Sequence, residues 1–138
     1  MRDLIDKIQK ARFIWVCGNG GSASTAEHLT NDMYSKNYPA ICLNSNVSII
    51  TKTANDSGYK YIFSDQLSVY ANKEDLLITI SCSGTSPNIR KALEFAEIEG
   101  MMIYNFDTFK DGSKNYERLE DEHLRLVHRI KRKLWKQL

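Results

Sequence analysis

Two polar loops carry residue types suited to binding a phosphorylated ligand. The first, residues 17–23, reads Cys-Gly-Asn-Gly-Gly-Ser-Ala, and its three glycines allow the backbone to approach a ligand closely. The second, residues 81–88, reads Ser-Cys-Ser-Gly-Thr-Ser-Pro-Asn and precedes a predicted helix. The free N–H groups and the dipole at a helix N-terminus attract anions. The hydroxyl groups of this serine loop therefore predict a phosphate site.

Both loops also have purely structural interpretations. The glycine loop could be a tight strand-to-helix turn, and the serine loop could be a capping turn with Pro87 in the first turn of the helix. The serine loop has no lysine, which excludes a Walker P-loop. The glycine loop lacks the full dinucleotide fingerprint, so a sugar phosphate is favoured over a nucleotide.

Further candidate residues lie on predicted helices and in a turn. His28 and Asp32 are four residues apart, which places both on one face of a helix, although such a pair is more often a surface hydrogen bond than a metal site. Residues 55–58, Asn-Asp-Ser-Gly, predict a turn. On the last helix, Glu120 and His123 are expected on a solvated face.

The order of elements predicts an α/β fold. Apolar runs predict strands at 13–17, 40–43, 76–81 and 101–105, and helices are predicted at 2–11, 22–35, 62–71, 86–99 and from about 116 to the end. This alternation is typical of a doubly wound parallel sheet with helices on both faces. We expect one domain over residues 1–138. The apolar positions of the final helix are expected to pack against a neighbouring subunit: Leu119, Leu124, Val127, Ile130 and Leu134.

Composition narrows the class of protein. The 138 residues are 42% hydrophobic and have a formal net charge of +2, which does not indicate nucleic-acid binding. The basic residues near the end complement the C-terminal dipole of the final helix: Arg125, Arg129, Lys131, Arg132, Lys133 and Lys136. Three cysteines in apolar segments argue against a disulfide framework. No signal peptide or apolar membrane span is evident, so we expect a cytoplasmic protein that binds no membrane.

Together these motifs resemble bacterial phosphoheptose isomerase, a family with the SIS fold. The similarity runs from about Phe13 to His128, and the glycine loop leading into His28 is its most specific part. The resemblance implies that sedoheptulose 7-phosphate and D-glycero-D-manno-heptose 7-phosphate are interconverted, at the start of heptose synthesis for lipopolysaccharide or capsule. It also implies a homotetramer.

The resemblance implies a role for individual residues. The phosphate-binding positions are Ser81, Cys82, Ser83 and Ser86; the other substrate-binding positions are Asn19, Gly20, Gly21, Ser22, Asn55, Asp56 and Glu120. Zinc is the implied cofactor, with ligands at His28, Asp32, Glu120 and His128. Asp32 and His128 are the implied proton-transferring residues, since isomerisation through an enediol needs a base and a proton donor.

The chain departs from the family pattern at several points. Asp32 stands where the family usually has glutamate, and Glu120 replaces a usual glutamine, so it could supply the carboxylate that the shorter Asp32 places less well. A segment between Asn105 and Tyr116 is absent, and the N-terminal helical region is shortened. Glu120 and His128 are eight residues apart, about 12 Å along a helix, so we expect the site to lie between subunits. The alternative is a non-catalytic SIS adaptor or regulator that binds a phosphosugar and a protein partner.

Overall fold

The chain forms a four-stranded parallel sheet covered by helices on both faces, which confirms the predicted fold class. The computed structural model describes residues 1–135 except Asp111 and Ser113. The strands are β1 (Ile14–Gly18), β2 (Ala40–Cys42), β3 (Leu76–Ile80) and β4 (Met102–Asn105), in the order β2-β1-β3-β4. The helices are α1 (Arg2–Lys10), α2 (Gly21–Tyr34), α3 (Val47–Asp56), α4 (Ser64–Tyr70), α5 (Pro87–Glu99) and α6 (Tyr116–Trp135), with a 3₁₀ turn at Tyr59–Tyr61.

Alternating side chains of the central strands build two cores. Ile14 and Val16 of β1 pack with α1, α2 and α6, whereas Trp15 and Cys17 pack on the opposite face with α4 and α5. Every residue of β1 and β3 is buried. Burial on both faces explains why these strands are continuous apolar runs in the sequence.

Local signals set the bounds of several helices. Pro87 begins α5, where a missing N–H costs nothing, and Gly100 ends it with a left-handed φ of 74°. The helix α3 was not predicted, and the expected turn at 55–58 begins only after it. Its start is rich in β-branched residues, which are weak helix formers, but the Asn46 side chain caps it by accepting a 3.1 Å hydrogen bond from the Ile49 N–H.

The helix α6 packs against α2 and α1 of its own chain, and its buried Val127, Ile130 and Leu134 join the core on that face of the sheet. Packing of this helix against a neighbouring subunit stays a prediction, whereas the expectation for His123 is wrong. His123 is buried, not solvated: its Nε2 lies 2.7 Å from the carbonyl oxygen of Asp107. Among the helices of the described residues, none has the length and apolar content to cross a membrane.

Candidate phosphosugar site

The glycine loop and the serine loop lie side by side at the carboxyl edge of the sheet. They follow β1 and β3, which are adjacent and parallel, with Gly18 opposite Ile80 in the register. From this pair the chain continues outward to β2 on one side and β4 on the other. Such a switch point is where open parallel sheets bind their ligands.

Hydrogen bonds with Asn44 and close backbone neighbours around Gly18 fix the backbone of the glycine loop. Asn44, in the loop after β2, accepts a 3.1 Å hydrogen bond from the Gly18 N–H and donates a 2.7 Å bond to the Gly18 carbonyl oxygen. A Cβ at Gly18 would stand 2.6 Å from the carbonyl oxygen of Ser22 and 2.9 Å from that of Ile80. Only glycine therefore fits at the end of β1.

A reciprocal pair of amides joins the two loops. Asn19 donates a 2.9 Å hydrogen bond to Asn88 Oδ1, and Asn88 donates a 2.8 Å bond back to Asn19 Oδ1. Tyr59 also contacts Asn19, with 3.4 Å between its hydroxyl and Asn19 Oδ1. Because Asn88 is buried in the first turn of α5, it holds the glycine loop at a fixed distance from the N-terminus of that helix.

A small polar cleft of about 110 Å³ lies between the two loops and the start of α6. Its lining residues are Asn19, Ser22, Ser81, Cys82, Ser83, Ser86, Tyr116 and Glu120. Ser81 accepts a hydrogen bond from the Gly84 N–H and Ser83 one from the Thr85 N–H, so both hydroxyl hydrogens are free to point elsewhere. Burial raises the pKa of the Cys82 thiol, which keeps it neutral there.

Glu120 brings a carboxylate to this cleft. Its Oε1 would lie 2.6 Å from a Cβ built on Gly21, so the side chain occupies the space that the glycine leaves open. The helices α2 and α6 run side by side in the same direction, since Gly21 meets Glu120 at one end and Asp32 meets Lys131 farther along. The negative charge of Glu120 also contributes to the raised pKa of Cys82.

A second cluster lies farther along the same two helices. The rings of His28 and His128 are 5.1 Å apart between centroids, and His28 Nε2 lies 3.4 Å from Asp32 Oδ2. The buried Asp32 forms an ion pair with Lys131, with 2.6 Å between Nζ and Oδ1. Among the described residues, its Oδ2 finds no hydrogen-bond partner.

The four implied zinc ligands are not brought together within the described residues. His28, Asp32 and His128 are neighbours, whereas Glu120 lies at the cleft, and no group of three or more histidine, cysteine, aspartate or glutamate side chains among residues 1–110, 112 and 114–135 has the geometry to hold a metal ion. The carboxylate of Asp32 is also already neutralised by an ammonium. Within one chain, the described residues therefore do not assemble the four-ligand zinc set that the resemblance implies, and Asp32 meets an ammonium where a metal ligand would meet a cation.

The remaining predicted residues are exposed. Asn55 and Asp56 lie at the end of α3, where Asp56 pairs with Lys52 and accepts a hydrogen bond from Asn55. Both lie outside the lining of the cleft. Gly20 and Gly21 are exposed at the start of α2, beside the cleft.

Sequence reasoning missed four residues that shape the site. Asn44 and Asn88 have no motif of their own, although asparagine next to a glycine loop or in a first helical turn is a common source of backbone hydrogen bonds. Tyr116 was predicted only as the approximate start of α6, and its place in the lining of the cleft was missed. Lys131 was assigned to the dipole of the helix end, because its partner lies 99 residues away in the sequence.

A parallel sheet with a polar cleft at its switch point is typical of α/β proteins that bind small ligands, and comparison with known proteins specifies the class. The SIS domain family matches residues 2–106. The phosphoheptose isomerase of Helicobacter pylori strain P12 is 34% identical over 91% of this chain and 75% of its own length, and that of Yersinia enterocolitica is 36% identical over the same shares. The structure of a phosphoheptose isomerase from Neisseria gonorrhoeae matches 96% of this chain and 81% of its own, with a TM-score of 0.88 at 27% identity.

The chain belongs to the phosphoheptose isomerase family of SIS-domain proteins. This confirms the expected family and the expectation of an isomerase, and it favours that expectation over the non-catalytic adaptor.

Proposed function

We propose that this protein interconverts sedoheptulose 7-phosphate and D-glycero-D-manno-heptose 7-phosphate, for the synthesis of heptose in lipopolysaccharide or capsule. Membership of the family supports the reaction, and the observation that carries it is the cleft in which a carboxylate, Glu120, faces the serine loop. We also propose that residues 1–138 form one domain and that the protein works in the cytoplasm.

The serine loop is proposed to bind the phosphate. Ser81, Ser83 and Ser86 line the cleft beside the N-terminus of α5, and hydroxyl and backbone donors suit a dianion that must later be released. Asn19 and Ser22 line the opposite side and are proposed to bind sugar hydroxyls. Ligand pockets usually have volumes above about 300 Å³. A cleft of about 110 Å³ is therefore expected to hold the phosphate end, with the rest of the sugar extending out of it.

The isomerisation requires a base that removes the proton from the hydroxymethylene carbon beside the ketone. The resulting enediol is then protonated at the neighbouring carbon. Glu120 lies at the cleft, but Asp32 is ten residues beyond Ser22 on α2, about 15 Å along the helix. We therefore propose that the phosphate cleft and Glu120 of one chain face the cluster of His28, Asp32 and His128 of a second copy.

A shared site requires a homo-oligomer, and a tetramer is expected from the resemblance. Because Lys131 already neutralises Asp32, we assign the proton transfers to the chain's own groups, with Asp32 as the base and His128 as the proton donor. Asn55 and Asp56 remain proposed contacts for the far end of the sugar.

Subunit complementation tests this proposal. Ser83→Ala removes a cleft hydroxyl and His128→Ala removes a residue of the cluster, so each homo-oligomer should convert sedoheptulose 7-phosphate at a small fraction of the unmodified rate. After the two variants exchange subunits, some sites combine an intact cleft with an intact cluster, and activity should return. Ser68→Ala, a change at an exposed residue, provides the control. When it is mixed with His128→Ala, the activity should not exceed that of the Ser68→Ala subunits before mixing.

Light scattering at micromolar protein concentration measures the oligomeric state of the same samples. No recovery of activity on mixing Ser83→Ala with His128→Ala, or an active monomer, would contradict the shared site. An unmodified protein that does not isomerise the sugar would contradict the proposed reaction itself.

A further inference from the structure

The ion pair between Lys131 and Asp32 joins α6 to α2 beside the two histidines. The Asp32 side chain is only 3% exposed, and the Lys131 side chain is 37% exposed, with 2.6 Å between Nζ and Oδ1. A buried carboxylate needs a compensating positive charge. In this chain the Lys131 ammonium supplies that charge.

The same cluster has two atoms that could act as metal donors, on Asp32 and His28. Asp32 Oδ2 is buried, has no hydrogen-bond partner in the described part of the chain and lies 3.4 Å from His28 Nε2. Two ligands of a tetrahedral zinc ion, each about 2.1 Å from it, are separated by about 3.4 Å. The spacing suits one ion, but an ion there would stand close to the Lys131 ammonium, and like charges so near each other in a partly buried site repel strongly.

We propose that Lys131 takes the place of a divalent cation at Asp32. Its ammonium neutralises the carboxylate and orients it towards His28, and it prevents zinc from binding at the otherwise suitable pair of donor atoms. Lys131 is thus a positioning residue, and the cluster works without a metal ion. This rests on the proposed function and deepens it, because it assigns to a side chain the positive charge that a bound zinc ion would bring to Asp32.

Removing the charge while preserving a hydrogen-bond donor tests the proposal. In Lys131→Gln the amide can still donate to Asp32 but carries no charge, and Lys133→Gln makes the same change at an exposed position of the same helix. Zinc chloride alone is titrated into each full-length protein by calorimetry, and cobalt is added separately for its visible absorption. Zinc affinity should rise at least about tenfold in Lys131→Gln and not in Lys133→Gln, since removing a unit charge at this range changes affinity by more than one decade.

A second substitution locates the bound ion. His28→Ala in the Lys131→Gln background should abolish the gain, and Lys131→Arg, which keeps the charge, should behave as the unmodified protein does. Should Lys131→Gln fail to fold, Lys131→Met provides a second neutral side chain, and its melting temperature should rise on adding zinc while that of the unmodified protein does not.

The proposal is overturned if the unmodified protein binds zinc as tightly as Lys131→Gln does, with a dependence on His28. It is equally overturned if neither neutral variant gains affinity, or if the gain survives His28→Ala. None of these measurements uses the sugar phosphate, so they decide the role of Lys131 even if the protein shows no isomerase activity. Where activity is found, a chelator should leave the unmodified rate unchanged.

Discussion

Asp75 links the segments that precede β1 and β3, and its substitution should destabilise the fold strongly. Asp75 directly precedes β3 in the chain. Its carboxylate is completely buried and accepts five hydrogen bonds. Two come from Arg12, at 2.9 Å each, and one from the buried Trp15 Nε1, also at 2.9 Å. The backbone N–H groups of Phe13 and Asn72 supply the other two, at 3.2 Å and 3.0 Å.

Asp75→Asn keeps the size of the side chain but removes its charge and one acceptor oxygen. The amide nitrogen would then face N–H donors, and the Arg12 guanidinium would lose its counter-ion. Removing one partner of a buried ion pair costs about 3–5 kcal/mol, which includes the groups left unpaired. Because Arg12 is 39% exposed and can turn to water, we expect the lower end, about 3 kcal/mol. That is a large part of the 5–15 kcal/mol typical of a whole domain.

Urea unfolding followed by circular dichroism measures this loss. Glu74→Gln makes the same chemical change at the adjacent, exposed residue and should alter the free energy of unfolding by less than about 0.5 kcal/mol. A loss below about 1 kcal/mol for Asp75→Asn, with an unchanged slope against urea, would refute the reasoning that these five bonds are formed in the folded chain and absent from the unfolded one.

Two further predictions concern the cleft and the core. In Gly21→Ala the new Cβ would come within 2.6 Å of the Glu120 carboxylate and displace it, so turnover of sedoheptulose 7-phosphate should fall at least about tenfold. Thermal stability should be unchanged or higher, because alanine favours the helix. Equal turnover would contradict the role of Glu120. Burial, and to a lesser degree Cys42, raises the pKa of the Cys17 thiol well above its ordinary value of 9.0. The unfolded chain therefore loses this proton above about pH 9 while the folded chain keeps it, so stability should fall with rising pH by up to about 1.4 kcal/mol per unit. Urea midpoints at pH 8, 9 and 10 should show a shallower decline for Cys17→Ala, and identical declines in the two proteins would contradict the prediction.

Much of the architecture could be predicted because its signals are local. The apolar runs of β1 and β3 are long enough to indicate strands buried on both faces, and Pro87 and Gly100 mark the ends of α5. The helix α3 was missed because its β-branched residues are weak helix formers and none of its residues is fully buried.

Burial on the final helix was predicted with less success. The charged residues around His123 suggested a solvated face, but the helical period places it in line with the buried Leu119 and Val127, four residues to either side, so its burial could have been predicted. Its contacts with Phe106 and the carbonyl oxygen of Asp107 could not, because they depend on where the chain runs after β4.

The sequence by itself determined the two ligand loops, the helix face shared by His28 and Asp32, and the family to which these motifs belong, because each is encoded within a few neighbouring residues. Only the tertiary structure decided which distant groups meet. It placed Glu120 over Gly21 at the cleft, His128 beside His28, and Lys131 on the carboxylate of Asp32. The physical reason is that α2 and α6 pack side by side in the same direction, so residues about one hundred positions apart become neighbours and a basic residue of the helix end becomes the counter-ion of a buried acid.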